Sequence, residues 1–290
     1  MAYSVIQYPY EVDDYPLISV RPLRTDKSMC FLPSSVESGR NAVYVVSNNQ
    51  PFIISRVFKS HVDRESYDEI GWLLLEEVRM LSALNLASQE GHFSFLATEE
   101  PTVVKYTQLK QAVTSRRFRM ADYIDQILQL AGLGAFDGIT DTDKTMDNKL
   151  TASDYYNLID PNHFVLMRIL YLSIKATMLW HYRVFAQEAT MLVYFGLDGI
   201  VKLLHEDLQS SSATRNIKDT LTYLAEHTAT GEAYFEYLEL CYDNRTQLVH
   251  PLNDIDYVWN PPLEADDFYE TREILRQLCR FYLTAQWTEI

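Results

Sequence analysis

The sequence predicts an α+β chain, a small mixed N-terminal domain with a few antiparallel strands followed by an all-α helical bundle. Three observations predict it. The first sixty residues carry short β-branched and aromatic runs separated by turn residues. From about residue 160 onward the apolar residues recur at spacings of three and four. Between the two, Gly132, Gly134 and Gly138 lead into the polar, acidic stretch Asp137–Asp154, which has no clear period and is read as a linker. The domains are accordingly placed at 1–150 and 151–290.

Taken in order, the strand signals are SVIQYPY, LISVRPL, NAVYVVSNN and PFIISRVF, with Asn-Asn-Gln-Pro supplying turn chemistry between the last two. Helical period begins at Ser66–Gln89, where Ile70, Leu73, Leu74, Val78, Leu81 and Leu84 share a stripe, and a second helix is expected over Met120–Leu133. Asp160-Pro161 offers an N-cap with proline at the first helical position, and Phe164–Trp180 follows as a helix apolar on several faces, hence central. The next helix is expected over Phe185–Leu208, ending at Ser210-Ser-Ser-Ala. A short amphipathic one carries Ile217, Leu221 and Leu224. Glu232–Val249 forms a fourth, with Phe235, Leu238 and Leu248 inside, stopped by Pro251. A last helix opens on Asp267 and Glu270 at capping-box spacing and runs through Phe268, Leu275, Leu278 and Tyr282.

Composition narrows the function. The 290 residues are 47% hydrophobic, enough for full cores. The start has no basic region ahead of an apolar run, so no secretory signal is expected. Phe164–Trp180, the longest apolar candidate, is cut by Arg168 and Lys175, so no membrane span is expected either, and the protein reads as cytoplasmic. Cys30, Cys241 and Cys279 lack zinc or disulfide spacing and read as buried thiols. A net charge of −15 argues against a broad nucleic-acid-coating surface but leaves room for a local basic site. No Gly-rich phosphate loop, HExxH or GxSxG occurs, and Asp141-Thr-Asp143-Lys-Thr145 lacks the glycine and glutamate of a calcium loop. No cofactor and no metal are expected.

One constellation can carry chemistry: Asn244-Arg245-Thr246-Gln247-Leu248-Val249-His250-Pro251. Arg245 and His250 lie about 140° apart on an ideal helix and converge if Pro251 unwinds the last turn. The pair then supplies what metal-free RNA cleavage needs. A histidine exchanges protons with the 2′-hydroxyl or the leaving oxygen, and an arginine fork stabilises charge on the phosphate. The plainer reading is an Arg and a His complementing a helix C-terminus. In the first domain Ser115-Arg116-Arg117-Phe118-Arg119 is the densest basic cluster, either an RNA contact through Arg116, Arg117, Phe118 and Arg119 or a solvated helix start. His163, His181, His205 and His227 read as structural histidines.

The order of helices, with R-x4-H ending the fourth ahead of a proline-containing loop and a closing amphipathic helix, resembles the HEPN superfamily, particularly its Apea-like branch. The resemblance covers about Phe164 to residue 290 and rests on Arg245 and His250. Tyr194-Phe-Gly-Leu-Asp198-Gly-Ile-Val-Lys-Leu also looks like the family's second helix, where an acidic residue is frequent. The resemblance implies a metal-independent RNA endonuclease of a prokaryotic or phage-related defence or stress system. Arg245 and His250 would be catalytic, Asp198 and Asn244 supporting. It further implies a homodimer through the helical domain, with two motifs meeting across a twofold axis. Tyr242, Tyr257 and Trp259 are candidate interface anchors, and the N-terminal domain is left to choose a protein partner or target. Thr246 departs from the Asn, Asp or His that many family ribonucleases carry there, and the family also contains non-catalytic members. The alternative expectation is therefore a non-catalytic dimerisation or protein-binding scaffold.

Overall fold

A computed structural model describes residues 17–25, 36–38, 41–47, 50–57, 75–88, 93–95, 102–105, 108–109, 120–133, 150–210, 216–227 and 265–285. The described chain is mixed α+β, with a six-stranded antiparallel sheet near the N-terminus and seven α-helices among the described residues. It divides into two compact units, 1–157 and 158–290.

In the first unit, β1 (Leu17–Thr25), β2 (Val36–Ser38), β3 (Ala42–Ser47), β4 (Gln50–Val57), β5 (Phe93–Phe95) and β6 (Thr102–Lys105) form the sheet in the order β2-β3-β4-β1-β5, with β6 also on β1. The runs LISVRPL, NAVYVVSNN and PFIISRVF contain β1, β3 and β4, while β2, β5 and β6 are too short to stand out by pattern. The register Ser47↔Gln50 makes β3 and β4 a hairpin. β1 lies against β4 on one side along Leu17–Pro22. Its other side pairs β6 over Leu17–Val20 and β5 over Leu23–Thr25. Pro22, which has no N–H to donate, falls where that side changes partner, a position an inner strand tolerates.

Alternation along the strands separates two buried faces. Ile18, Val20, Val45, Phe52, Ile54 and Val104 pack against Tyr123, Ile124, Ile127 and Leu128 of α2 (Met120–Leu130). This helix ends on Gly132, whose φ of +73° closes a turn in which the Gly132 N–H donates to Gln129 and the Leu133 N–H to Leu128. The alternate residues Ser19, Arg21 and Ser55 face α1 (Leu75–Ala87). Asn85 ties α1 to β5, donating to the Phe93 carbonyl at 2.9 Å and accepting from its N–H at 2.6 Å. The end of the expected linker is helical. Thr151 caps α3 (Ala152–Leu158) in a reciprocal box with Asp154, at 2.8 Å and 3.2 Å, and Tyr155 and Tyr156 are buried.

The second unit contains α4 (Phe164–Trp180), a 3₁₀ turn (Arg183–Phe185), α5 (Ala186–Ser210), α6 (Ile217–His227) and α7 (Ala265–Thr284). The expected fourth helix, with Phe235, Leu238 and Leu248, lies outside the described residues. So do the SVIQYPY strand, Cys30 and Cys241. Two helix starts differ from expectation. Asp160 does not cap α4. Its Oδ1 accepts from the Asn162 N–H at 2.9 Å, and His163 is the cap, its Nδ1 accepting from the Leu166 N–H at 3.2 Å. Asp267 lies inside α7 rather than capping it, because the helix begins at Ala265.

α4 and α7 run antiparallel and are fastened at both ends. Trp180 stacks on Phe268 with centroids 4.1 Å apart and donates its indole N–H to the Tyr269 hydroxyl at 3.0 Å. At the other end His163 Nε2 meets the Tyr282 hydroxyl at 2.9 Å. Phe268, Leu275 and Leu278 are fully buried, each contributing about 1.5–3 kcal/mol by burial. Cys279 is a buried thiol, its pKa pushed up to about 12 by burial. The stretch Arg183–Gln209 is long and apolar enough by length and composition to cross a membrane, a candidate that displaces Phe164–Trp180. Its inner side, through Ala189, Val193, Leu197, Ile200 and Leu204, is buried in this unit.

α5 approaches both neighbours through glycines. A Cβ on Gly196 would lie 2.7 Å from a terminal methyl of Leu275, and one on Gly199 would lie 2.8 Å from Cγ1 of Ile169. Leu275 can swing its terminal methyl aside, whereas β-branched Ile169 is held to one χ1 well in a helix. Alanine gains about 1 kcal/mol in helix propensity over glycine, and overpacking costs about 1–3 kcal/mol. Gly199→Ala is therefore expected to lower stability by up to about 2 kcal/mol and Gly196→Ala to change it by less than about 1 kcal/mol, as read from urea midpoints; the reverse order would contradict this packing.

Candidate functional site

Of the residues singled out by sequence, Asp198 is described. It lies half-buried on α5, one turn before Lys202, whose ammonium donates to its Oδ2 at 2.7 Å. Lys202 is largely exposed, so the pair is of the solvated i,i+4 kind that contributes a few tenths of a kcal/mol. Arg245, His250 and Asn244 lie outside the described residues, as do Arg116, Arg117, Phe118 and Arg119 and the aromatics Tyr242, Tyr257 and Trp259. Among the described residues no three His, Cys, Asp or Glu side chains are grouped to hold a metal ion.

The described histidines act in the framework. His163 Nδ1 accepts a backbone N–H, so the neutral ring carries its proton on Nε2 and donates to Tyr282. The Tyr282 hydroxyl has its pKa raised by burial and by the negative charges of Asp207 and Glu206. His205 Nδ1 meets the buried Thr220 hydroxyl at 2.8 Å and joins α5 to α6. His181 is the C-terminal cap of α4.

Among the described residues the densest polar constellation is one that sequence reasoning misses. Glu76 and Glu77, in the first turn of α1, are both buried, Glu77 completely. Ser19 donates to Glu77 Oε1 at 2.6 Å, Arg21 Nε donates to Oε2 at 2.8 Å, and Ser55 reaches Oε1 at 3.5 Å. Ser19 and Ser55 are direct cross-strand partners, which brings both hydroxyls to one carboxylate. The guanidinium of Arg21 also stands 5.3 Å from the Phe95 ring centroid. Glu76 takes a very short hydrogen bond from the Tyr156 hydroxyl, a bond from Asn41 Nδ2 at 3.4 Å and an ion pair with Arg79 at 3.6 Å. Arg79 lies 4.0 Å over the Tyr156 ring, and the Asn41 N–H donates to the same hydroxyl at 3.1 Å. Burial and the Glu76 carboxylate beside it push the Tyr156 hydroxyl well above its ordinary pKa of 10.0.

Chemically this cluster is a lock. Its carboxylates are saturated with donors and sealed from water, so they do not present a nucleophile or base to a substrate. Their place at a helix N-terminus adds the favourable end of the helix dipole. No known protein family, curated protein or solved structure matches this chain.

The Arg21–Glu77 pair gives a test by double-mutant cycle. Removing one partner strands a buried charge at a cost of about 3–5 kcal/mol, while replacing both by apolar residues of similar volume is close to neutral. Arg21→Met alone is therefore expected to shift the denaturant midpoint strongly, and Arg21→Met with Glu77→Leu to recover most of the loss. Additive losses would show that Ser19 and Ser55, not the ion pair, dominate.

Proposed function

We propose that the chain is a metal-independent RNA endonuclease acting in the cytoplasm, in a prokaryotic or phage-related defence or stress system, with Arg245 and His250 as its catalytic pair. The observation that carries this reading is the Arg245-x4-His250 spacing just before Pro251, in a segment falling between α6 and α7 of a helical unit. The helix order around it resembles HEPN ribonucleases.

In the proposed step His250 takes the proton of a 2′-hydroxyl, the 2′-oxygen bonds to the adjacent phosphorus, and the bond to the 5′-oxygen breaks. The leaving oxygen takes up a proton, so the products are a 2′,3′-cyclic phosphate and a 5′-hydroxyl. Arg245 holds the non-bridging oxygens as charge builds on them. Asn244 and Asp198 are placed as supporting polar groups, and Arg116, Arg117, Phe118 and Arg119 as further RNA contacts. A single Arg and a single His are sparse for two proton transfers, so the reading includes a homodimer through the helical unit that joins two motifs. The N-terminal unit is assigned the choice of a protein partner.

A second reading, a non-catalytic protein-binding scaffold, is favoured by one observation. The turn between α4 and α5 exposes Val184 at 80% and Phe185 at 42%, apolar surface of the kind that partners cover.

Purified chain in EDTA is expected to cut RNA to 2′,3′-cyclic phosphate ends, with His250→Ala reducing the rate at least about a hundredfold. Cleavage that needs added Mg²⁺ or survives His250→Ala would sink the mechanism, and no cleavage of any RNA would leave the scaffold reading. Light scattering at micromolar concentration is expected to give twice the chain mass. A strict monomer would remove the composite site.

A further inference from the structure

The outward face of α4 carries cations and no carboxylate of its own helix. Residues 164–187 contain no Asp or Glu, in a chain of net charge −15. Arg168, Tyr171 and Lys175 recur at spacings of three and four, which places them along one side of the helix, and Tyr182 and Arg183 lie in the turn that follows its end at Trp180. Arg168, Lys175, Tyr182 and Arg183 are exposed and Tyr171 is half-buried. The Arg168 guanidinium and the Lys175 ammonium each stand 5.9 Å from the Tyr171 ring centroid, one on either side in sequence. Arg183 lies 5.5 Å from the Trp180 ring.

Carboxylates neutralise other cations of the described chain. Arg21 meets Glu77, Arg79 meets Glu76, Lys202 meets Asp198 and Arg276 meets Glu273. Arg168, Lys175 and Arg183 make no salt bridge among the described residues. Three cations beside aromatic rings, with no acid on α4, form a strip along about 18 Å of helix from residue 168 to residue 180 and the turn that follows. The strip suits a flexible polyanion whose repeating units also carry flat rings: phosphates against the cations, bases against the tyrosines. A duplex would hide the bases that the tyrosines would stack.

We propose that this face of α4 binds single-stranded RNA, an assignment that rests on the ribonuclease reading for the choice of RNA. Arg168, Lys175 and Arg183 take successive but not adjacent phosphates along the strand, and Tyr182 takes a base. The face is a binding strip, not a catalytic one, and it draws an RNA strand onto the helical unit against the repulsion of the acidic surface elsewhere.

The test uses the full chain carrying His250→Ala, so that RNA is not consumed, and fluorescence anisotropy with a labelled single-stranded oligonucleotide. Replacing Arg168, Lys175 and Arg183 together by Gln is expected to weaken binding at least tenfold. It should also flatten the dependence of log affinity on log salt by about two, at roughly 0.7 for each phosphate no longer neutralised. Tyr182→Ala is expected to weaken binding about fivefold or more with the salt slope unchanged. Each variant changes exposed side chains, and circular dichroism checks that it folds. Undiminished binding by the triple variant, or no binding by the parent, overturns the proposal. Equal competition by poly-glutamate with no effect of Tyr182→Ala overturns it in favour of an acidic polypeptide. RNA binding that depends on this face in a chain whose unmutated form cuts no RNA would uphold the strip while removing the ribonuclease reading. Cleavage unaltered in KM by the triple variant would do the opposite.

Discussion

The second unit depends on how closely α5 can approach α4 and α7. Gly196 and Gly199 sit three residues apart, and each leaves room for a buried branched side chain of a different neighbour, Leu275 of α7 and Ile169 of α4. Close approach is what lets Val193, Leu197, Ile200 and Leu204 be buried between them. It also decides which side of α4 remains outside. Leu166, Ile169, Ile174 and Thr177 are committed inward, so Arg168, Tyr171 and Lys175 are left toward the outer side. Packing thus fixes a basic, aromatic face that composition alone does not reveal.

The first unit solves a different electrostatic problem. Burying Glu76 and Glu77 side by side is costly unless each carboxylate is fully paired, and the fold divides the task. The sheet serves Glu77 through Arg21 and the facing serines Ser19 and Ser55. Glu76 is served by Tyr156 of α3 together with Asn41 and Arg79. The two networks draw on residues far apart in sequence, Ser19 to Tyr156, so together they close β1, α1 and α3 into one unit. This is also why the stretch ending near residue 154 is not simply a spacer: Tyr156 has a buried hydrogen bond to make, and α3 exists to present it.

Periodicity makes the longer elements legible. Val78, Leu81 and Leu84 mark α1, Phe164–Trp180 coincides with α4, and Phe268, Leu275 and Leu278 mark the inner side of α7. Three-residue strands such as β2 and β5 offer too few positions for alternation to register. Helix starts mislead for a local reason. Asp160 and Asp267 both have the chemistry of a cap, but Asp160 spends its carboxylate on Asn162 two residues on, and the histidine that replaces it as cap is a rare choice. The Glu76–Glu77 lock is not legible at all. The helical period read from Ser66 puts this Glu-Glu pair in a helix interior with no sign of burial, and only the long-range placement of Arg21, Ser19, Ser55 and Tyr156 turns it into core. Of the candidate site, Asp198 does lie on a helix, yet its ion pair with Lys202 is the solvated arrangement that any surface helix can carry. The proposed pair Arg245 and His250 lies outside the described residues.

A net charge of −15 weighs against nucleic-acid binding only if charge acts over the whole molecule. At physiological ionic strength the screening length is about 8 Å, so an exposed phosphate at one cation is shielded from carboxylates much farther away. What it meets is the charge within roughly that radius. Along the outer side of α4 the sequence supplies three cations and no acid for 24 residues, so the charge this helix itself contributes there has the opposite sign to the average. The acidic remainder then has a use of its own. It discourages the indiscriminate coating that a uniformly basic protein suffers, and it confines any polyanion to local basic sites such as the proposed strip. A binding surface of the proposed kind is narrow, salt-sensitive and carried by few residues, which is the form compatible with a protein of this charge.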